Sequence, residues 1–151
     1  MASNKKPRKA YKPKRTAKDP LAYMAKKDPA DVEEELIAYQ VAFGSILKGH
    51  GSVCDVDTVT AALNGCAVLC LQHDWMEYYD KAVLGQRAQQ TMIERLKLGK
   101  RAVYTGPEMQ AVREALEIWE AQLPIMTPRD MASAATLVGQ QLVRRNFTKP
   151  L

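Results

Sequence analysis

The chain has 151 residues, 46% of them hydrophobic and 26% charged, which suits one globular domain with a single core and argues against disorder of the whole chain. No stretch approaches the roughly twenty uninterrupted apolar residues of a membrane span, and the N-terminus has the charge of a signal peptide without its apolar run. The formal net charge is only +5, yet the first eighteen residues hold eight Lys/Arg and no acid, whereas the remainder holds fourteen basic and seventeen acidic residues, about −3.

That split divides the chain into a basic arm, residues 1–18, and a mildly acidic body, residues 19–151. The arm's cations are Lys5, Lys6, Arg8, Lys9, Lys12, Lys14, Arg15 and Lys18. Like charges in a block repel one another and are commonly interaction tails, and Pro7 and Pro13 forbid a continuous helix, so an extended arm is expected. Its cations could neutralise phosphates while Tyr11 stacks on a base. If all eight met duplex phosphates, log K would fall against log salt with a slope of about −7. An acidic protein surface would satisfy the same charges, and so would a solubilising tail.

Beyond the arm, helix signals recur and strand signals do not. Asp19 and Pro20 read as the cap and first residue of a short turn through Tyr23 and Met24, and Asp28 with Pro29 repeats the device. Val32, Leu36, Tyr39, Phe43 and Leu47 then form an amphipathic stripe that ends before Gly49 and Gly51. After a loop through about Cys54, Asp55 or Asp57 caps a helix that is apolar nearly all round (Val59, Ala62, Leu63, Cys66, Ala67, Leu69, Cys70), the mark of a central element. Asp74 reads as the cap of a segment from Trp75 to Leu98 with inner positions Trp75, Tyr79, Ala82, Val83 and Met92, a polar middle from Gly85 to Gln90, and a stop at Gly99. Thr105 and Glu108 have capping-box spacing with Pro107 in the first turn. Met109, Val112, Leu116, Trp119 and Leu123 carry that helix's stripe to Pro124. Thr127, Pro128 and Asp130 open the last helix, with Met131, Ala134, Ala135, Val138 and Leu142 inward. The expected fold is all-α, an up-and-down bundle of four or five helices.

Catalytic patterns do not emerge. Gly44, Gly49 and Gly51 flank no strand, so neither nucleotide-binding loop can be made. Cys66, Cys70 and His73 share a helical face, with His50 and Cys54 in the preceding loop, and thiolate and imidazole are zinc ligands. The familiar finger spacings are absent, however, and cysteine at helical spacing in an apolar helix acts as a small core hydrophobe; core packing is the reading adopted, with no metal and no cofactor. A Cys/His nucleophile would need an exposed thiolate. Glu33, Glu34 and Glu35 lie near a helix start, where acids favour the dipole. Trp75 and Tyr79 read as core and Tyr78 as half exposed. No enzyme is expected. Three cysteines suit a reducing compartment, and with Ala2 after Met1 and no C-terminal prenylation Cys the expected location is the cytoplasm, without membrane contact.

The opening KKPRKAYKPKR, the mid-chain TAALNGCAVLC, TGPEMQAVREAL from Thr105 to Leu116, and QLPIMTPRDM together resemble a loose group of small helical proteins encoded by phages, prophages and plasmids of proteobacteria, with residues 17–57 departing most. The resemblance implies a mobile-element setting and no catalytic residue. In that setting small accessory proteins, anti-CRISPR proteins among them, block host defence by binding a nuclease or nucleoprotein complex. The expected partner is therefore a host protein or ribonucleoprotein complex, met through a helical body and the arm. The alternative is a nucleic-acid-binding accessory of element replication or regulation, in which the arm, with Lys97, Lys100 and Arg101, contacts RNA or DNA.

Overall fold

The computed structural model describes residues 28–144, apart from the side chains at positions 138, 139 and 141–144. The whole arm, the boundary at residue 18, the turn at Asp19 and Pro20, the Val138 and Leu142 side chains and the tail from Asn146 lie outside the described residues. Within them, local capping chemistry sets where each helix begins. The Asp28 carboxylate accepts from Ala30 N at 2.9 Å and Pro29 takes the first position of helix α1, Pro29–Leu47. Helix α2, Val53–Gln72, is capped by Ser52, with Asp55 reaching back to Ser52 N at 2.8 Å; Asp55 is thus the return partner of the box rather than the cap, and Asp57 has no part in it. Helix α3, Met76–Lys97, follows. Helix α4, Gly106–Gln122, starts on the Thr105–Glu108 box, and Pro124 converts its end into a 3-10 turn, Leu123–Ile125. Helix α5, Pro128–Arg144, starts on reciprocal bonds between Thr127 and Asp130.

Helices α1, α2 and α3 all stop in the same way. The amides of Gly49, Asp74 and Gly99 bond back to Ile46, Leu71 and Leu96, and those of His50, Trp75 and Lys100 to Ser45, Cys70 and Arg95. This pair of bonds is a Schellman closure, which needs a left-handed residue, and φ is +76° at Gly49, +56° at Asp74 and +79° at Gly99. Asp74 therefore ends α2 instead of capping α3, whose N-cap is Trp75 with no side-chain bond. Asp tolerates the left-handed region better than most residues, which is why no glycine marks this stop.

Among the described residues there are five helices and no strand, the all-α bundle expected. Helix α2 touches all four others. It reaches the length and mean hydropathy of a membrane span (20 residues, 1.4) although Thr58, Thr60 and Asn64 interrupt it, and half of that window is buried. Val56, Val59, Leu63, Cys66, Val68, Leu69 and Cys70 are buried on it, meeting Tyr39, Ala42 and Ile46 from α1 and Val112, Leu116 and Trp119 from α4. The α1 stripe is rotated from expectation: Ile46 is fully buried and Leu47 is 38% exposed. Ala135 faces outward as well.

The α3–α4 pair is the most extensive contact, and it runs through the polar middle of α3. A β-carbon at Gly85 would sit 2.5 Å from Ala115 Cβ and 3.1 Å from Ala111 O. Glycine is what lets the two backbones come this close, so Gly85, Gln86 and Gln89 are buried where a polar run suggested otherwise.

Candidate interaction surfaces

The far end of the α3–α4 pair is closed by polar bonds. Arg95 donates to both Glu108 oxygens at 2.6 Å and to Val103 O at 2.8 Å, while Glu108 also accepts from Thr105 N. The hydrogen bond from Arg95, ahead of the backbone bond and charge, holds the Glu108 carboxyl below the ordinary range. Beside it Tyr104 OH donates to Gln89 Oε1 at 2.5 Å, and Gln89 Nε2 donates to Val56 O and Thr60 Oγ1. Burial, then the Glu108 charge, pushes the Tyr104 hydroxyl upward. Gln86 donates to Asn64 Oδ1 at 2.9 Å. The fold uses these groups, apart from Gln86 Oε1, which is buried with no donor among the described residues.

At the near end the same two helices part. A notch of about 420 Å³ is lined by Trp75, Tyr78 and Lys81 from the start of α3, by Glu114, Glu117, Ile118, Ala121 and Gln122 from α4, and by Ile125 of the 3-10 turn. Trp75 is half-buried and stacks on His73 with ring centroids 4.7 Å apart; Tyr78 and Ile125 are about half exposed. Lys81 and Glu117 make no ion pair among the described residues. Gln122 is 2% exposed; its Nε2 donates to Cys66 O at 3.4 Å and Cys70 Sγ at 3.2 Å, and nothing donates to its Oε1. Glu114 accepts from Gln110 Nε2 at 3.0 Å; acids without an ion pair, a cation and an aromatic wall around a buried acceptor can bind a chain of donors and apolar rings.

A second, larger groove of about 740 Å³ lies between α1 and α5 over α2 and beside Trp119 of α4. Its floor is small: Ala61, Ala62 and Gly65, with Ala38 and Ala134 on the flanks. A β-carbon at Gly65 would come within 2.8 Å of the Trp119 ring. Tyr39 at its edge donates to Glu120 at 3.3 Å, and burial, then that carboxylate, pushes its hydroxyl up to about 12.

The sequence-derived candidates fall into three groups. Lys5, Lys6, Arg8, Lys9, Tyr11, Lys12, Lys14, Arg15 and Lys18 lie outside the described residues. Cys66 and Cys70 are fully buried, the packing role read from the sequence, with Cys66 Sγ 3.5 Å from Ala115 O; the hydrogen bond to Cys70 and then burial push the Cys66 thiol up. His73 leaves that face for the surface, 3.6 Å from Asp130 Oδ1, and Cys54 is exposed on the first turn of α2, not in a loop. No three His, Cys, Asp or Glu among the described residues are grouped to share a metal. Glu33 and Glu34 are exposed and Glu35 borders the larger groove.

Sequence reasoning missed the notch. Tyr78 was legible as half exposed, but nothing along the chain singled out Glu114, Glu117 or Lys81, and only the fold brings them to one notch. Gln122 gave one signal: a glutamine directly before Leu123 on a buried stripe. No protein-family model, curated protein or solved structure matches the chain.

Proposed function

We propose that this is a non-enzymatic accessory protein of a mobile element that binds a host defence protein or nucleoprotein complex and inhibits it, in the manner of anti-CRISPR proteins. The observation that carries this reading is the segregation of charge. Eight cations crowd residues 1–18, whereas residues 28–144 hold ten Lys/Arg against sixteen Asp/Glu. A body that gripped nucleic acid itself would carry positive charge on its face; an acidic one is repelled by phosphates and suits a protein surface. The arm then meets an acidic or RNA-lined patch of the same target. Burial of Cys66 and Cys70 removes the two thiols that a nucleophilic reading would use.

The test is affinity capture of tagged protein from bacterial lysate, with and without nuclease, beside a bait lacking residues 1–18. A stoichiometric host protein that survives nuclease and is weakened by arm deletion is the expected result. Recovery of nucleic acid alone, lost on nuclease treatment, would replace this reading with a nucleic-acid accessory. Circular dichroism of the shortened bait should match that of the full chain.

A further inference from the structure

We propose that the notch between the start of α3 and the end of α4 is a seat for the chain's own basic arm, which lays the proline-punctuated stretch Pro7–Arg15 across it. This goes beyond the proposed function, since it concerns the free protein and needs no partner.

Three features of the notch specify such an occupant. Gln122 is 2% exposed and lines the notch, with its amide nitrogen committed to Cys66 O and Cys70 Sγ and nothing donating to its oxygen. A buried acceptor in that state calls for a donor, such as a peptide N–H or a Lys/Arg side chain. Glu114 and Glu117 stand on the α4 wall with Lys81 the single cation of the lining, so the rim favours positive charge. Trp75, Tyr78, Ile118 and Ile125 supply aromatic and aliphatic walls, the surface on which proline-containing extended segments dock at low entropic cost.

The arm has that chemistry: two prolines, Tyr11 and eight cations without an acid. It also has the reach. Helix α1 starts at the same end of the bundle as the notch, because short loops alternate the helix directions, α1 packs against the Leu123–Ile125 turn, and Tyr39 bonds to Glu120 near the end of α4. From Asp28 back to Tyr11 the chain can extend roughly 56–61 Å. The 22-residue helix α3 is only about 33 Å long.

A tethered segment works at an effective concentration of order millimolar, so a site with a dissociation constant of about 0.1 mM would be about nine-tenths filled. Partner binding would have to displace the arm from the body, making the notch a self-occupied docking site.

The arm carries its own reporter, because trypsin cuts after its lysines and arginines. Release of arm fragments from the full chain should be about tenfold slower than from a free peptide of residues 1–18 at low salt. It should approach the peptide rate near 0.5 M salt, where charge is screened within a few ångströms, and in Glu114→Gln/Glu117→Gln with an unchanged circular dichroism spectrum. Cleavage at the peptide rate at every salt concentration would overturn the proposal. Protection that rises with protein concentration would overturn it too, by placing the arm on a second copy. Should the double variant not fold, the salt series on the unaltered chain decides alone.

Discussion

The two ends of the α3–α4 pair are built from the same helices and differ in what becomes of their polar groups. At one end Arg95, Glu108, Thr105, Tyr104 and Gln89 spend their hydrogen-bonding capacity on one another. At the other, Lys81 and Glu117 have no ion pair among the described residues and Gln122 Oε1 has no donor. Most buried polar atoms are satisfied in a fold, but Gln72 Oε1 and Gln86 Oε1, outside the notch, lack donors as well, so the contrast rests on the charged side chains left without ion pairs. The closed end therefore serves the bundle, and the open end is a surface the bundle does not require.

Substitutions can break or sharpen that contrast. The largest effect belongs to the core beneath both ends: Leu116→Ala removes a side chain that is 4% exposed and should cost about 2–5 kcal/mol, read as a lower urea midpoint at unchanged slope. Near-native stability would move the α4 stripe out of the core. Next comes the closed end. Gln89→Leu leaves the Tyr104 hydroxyl without its acceptor and takes one donor from the Val56 carbonyl, which keeps that of Thr60 Oγ1, and should cost about 1–3 kcal/mol; a neutral result would mean that water replaces the amide and the end is not sealed.

A smaller effect is expected from Glu108, whose folded-state carboxyl is held below its ordinary range, chiefly by Arg95. A depressed acid contributes stability that is present above its unfolded value, near 4.3, and is lost as pH falls through the folded value. Glu108→Gln should lower the melting temperature at neutral pH, by the equivalent of about 1 kcal/mol, and the gap should narrow as pH drops below about 4. A gap that widened in acid would contradict the assignment.

Much of the fold was legible because it is written in local chemistry. Thr105 with Glu108, Thr127 with Asp130, Asp28 with Pro29, and Gly99 each state a helix boundary within a few residues of sequence, and each holds. Boundaries failed where two residues could play the same part. Asp55 and Ser52 are both good caps, and only the position of Val53 makes Ser52 the cap; Asp74 resembles a helix start yet serves as the left-handed stop of α2. The buried glutamines were illegible for a different reason. Gln86, Gln89 and Gln122 find their partners on other helices, 22, 33 and 56 positions away, and no periodicity within α3 or α4 reports a bond of that kind. The notch shares this property. Its residues come from α3, α4 and the 3-10 turn, each unremarkable along the chain, while the arm that would fill it was the plainest feature of the sequence.

The most direct test of the contrast is the urea midpoint of Tyr78→Ala/Glu117→Gln measured beside that of Gln89→Leu. If the open end is spare to the fold, the notch variant stays within about 0.5 kcal/mol of the unaltered chain while Gln89→Leu falls by about 1–3 kcal/mol. A notch variant that unfolds as easily as Gln89→Leu would show that Tyr78 and Glu117 hold the bundle together, and the division into a closed end and an open end would be wrong.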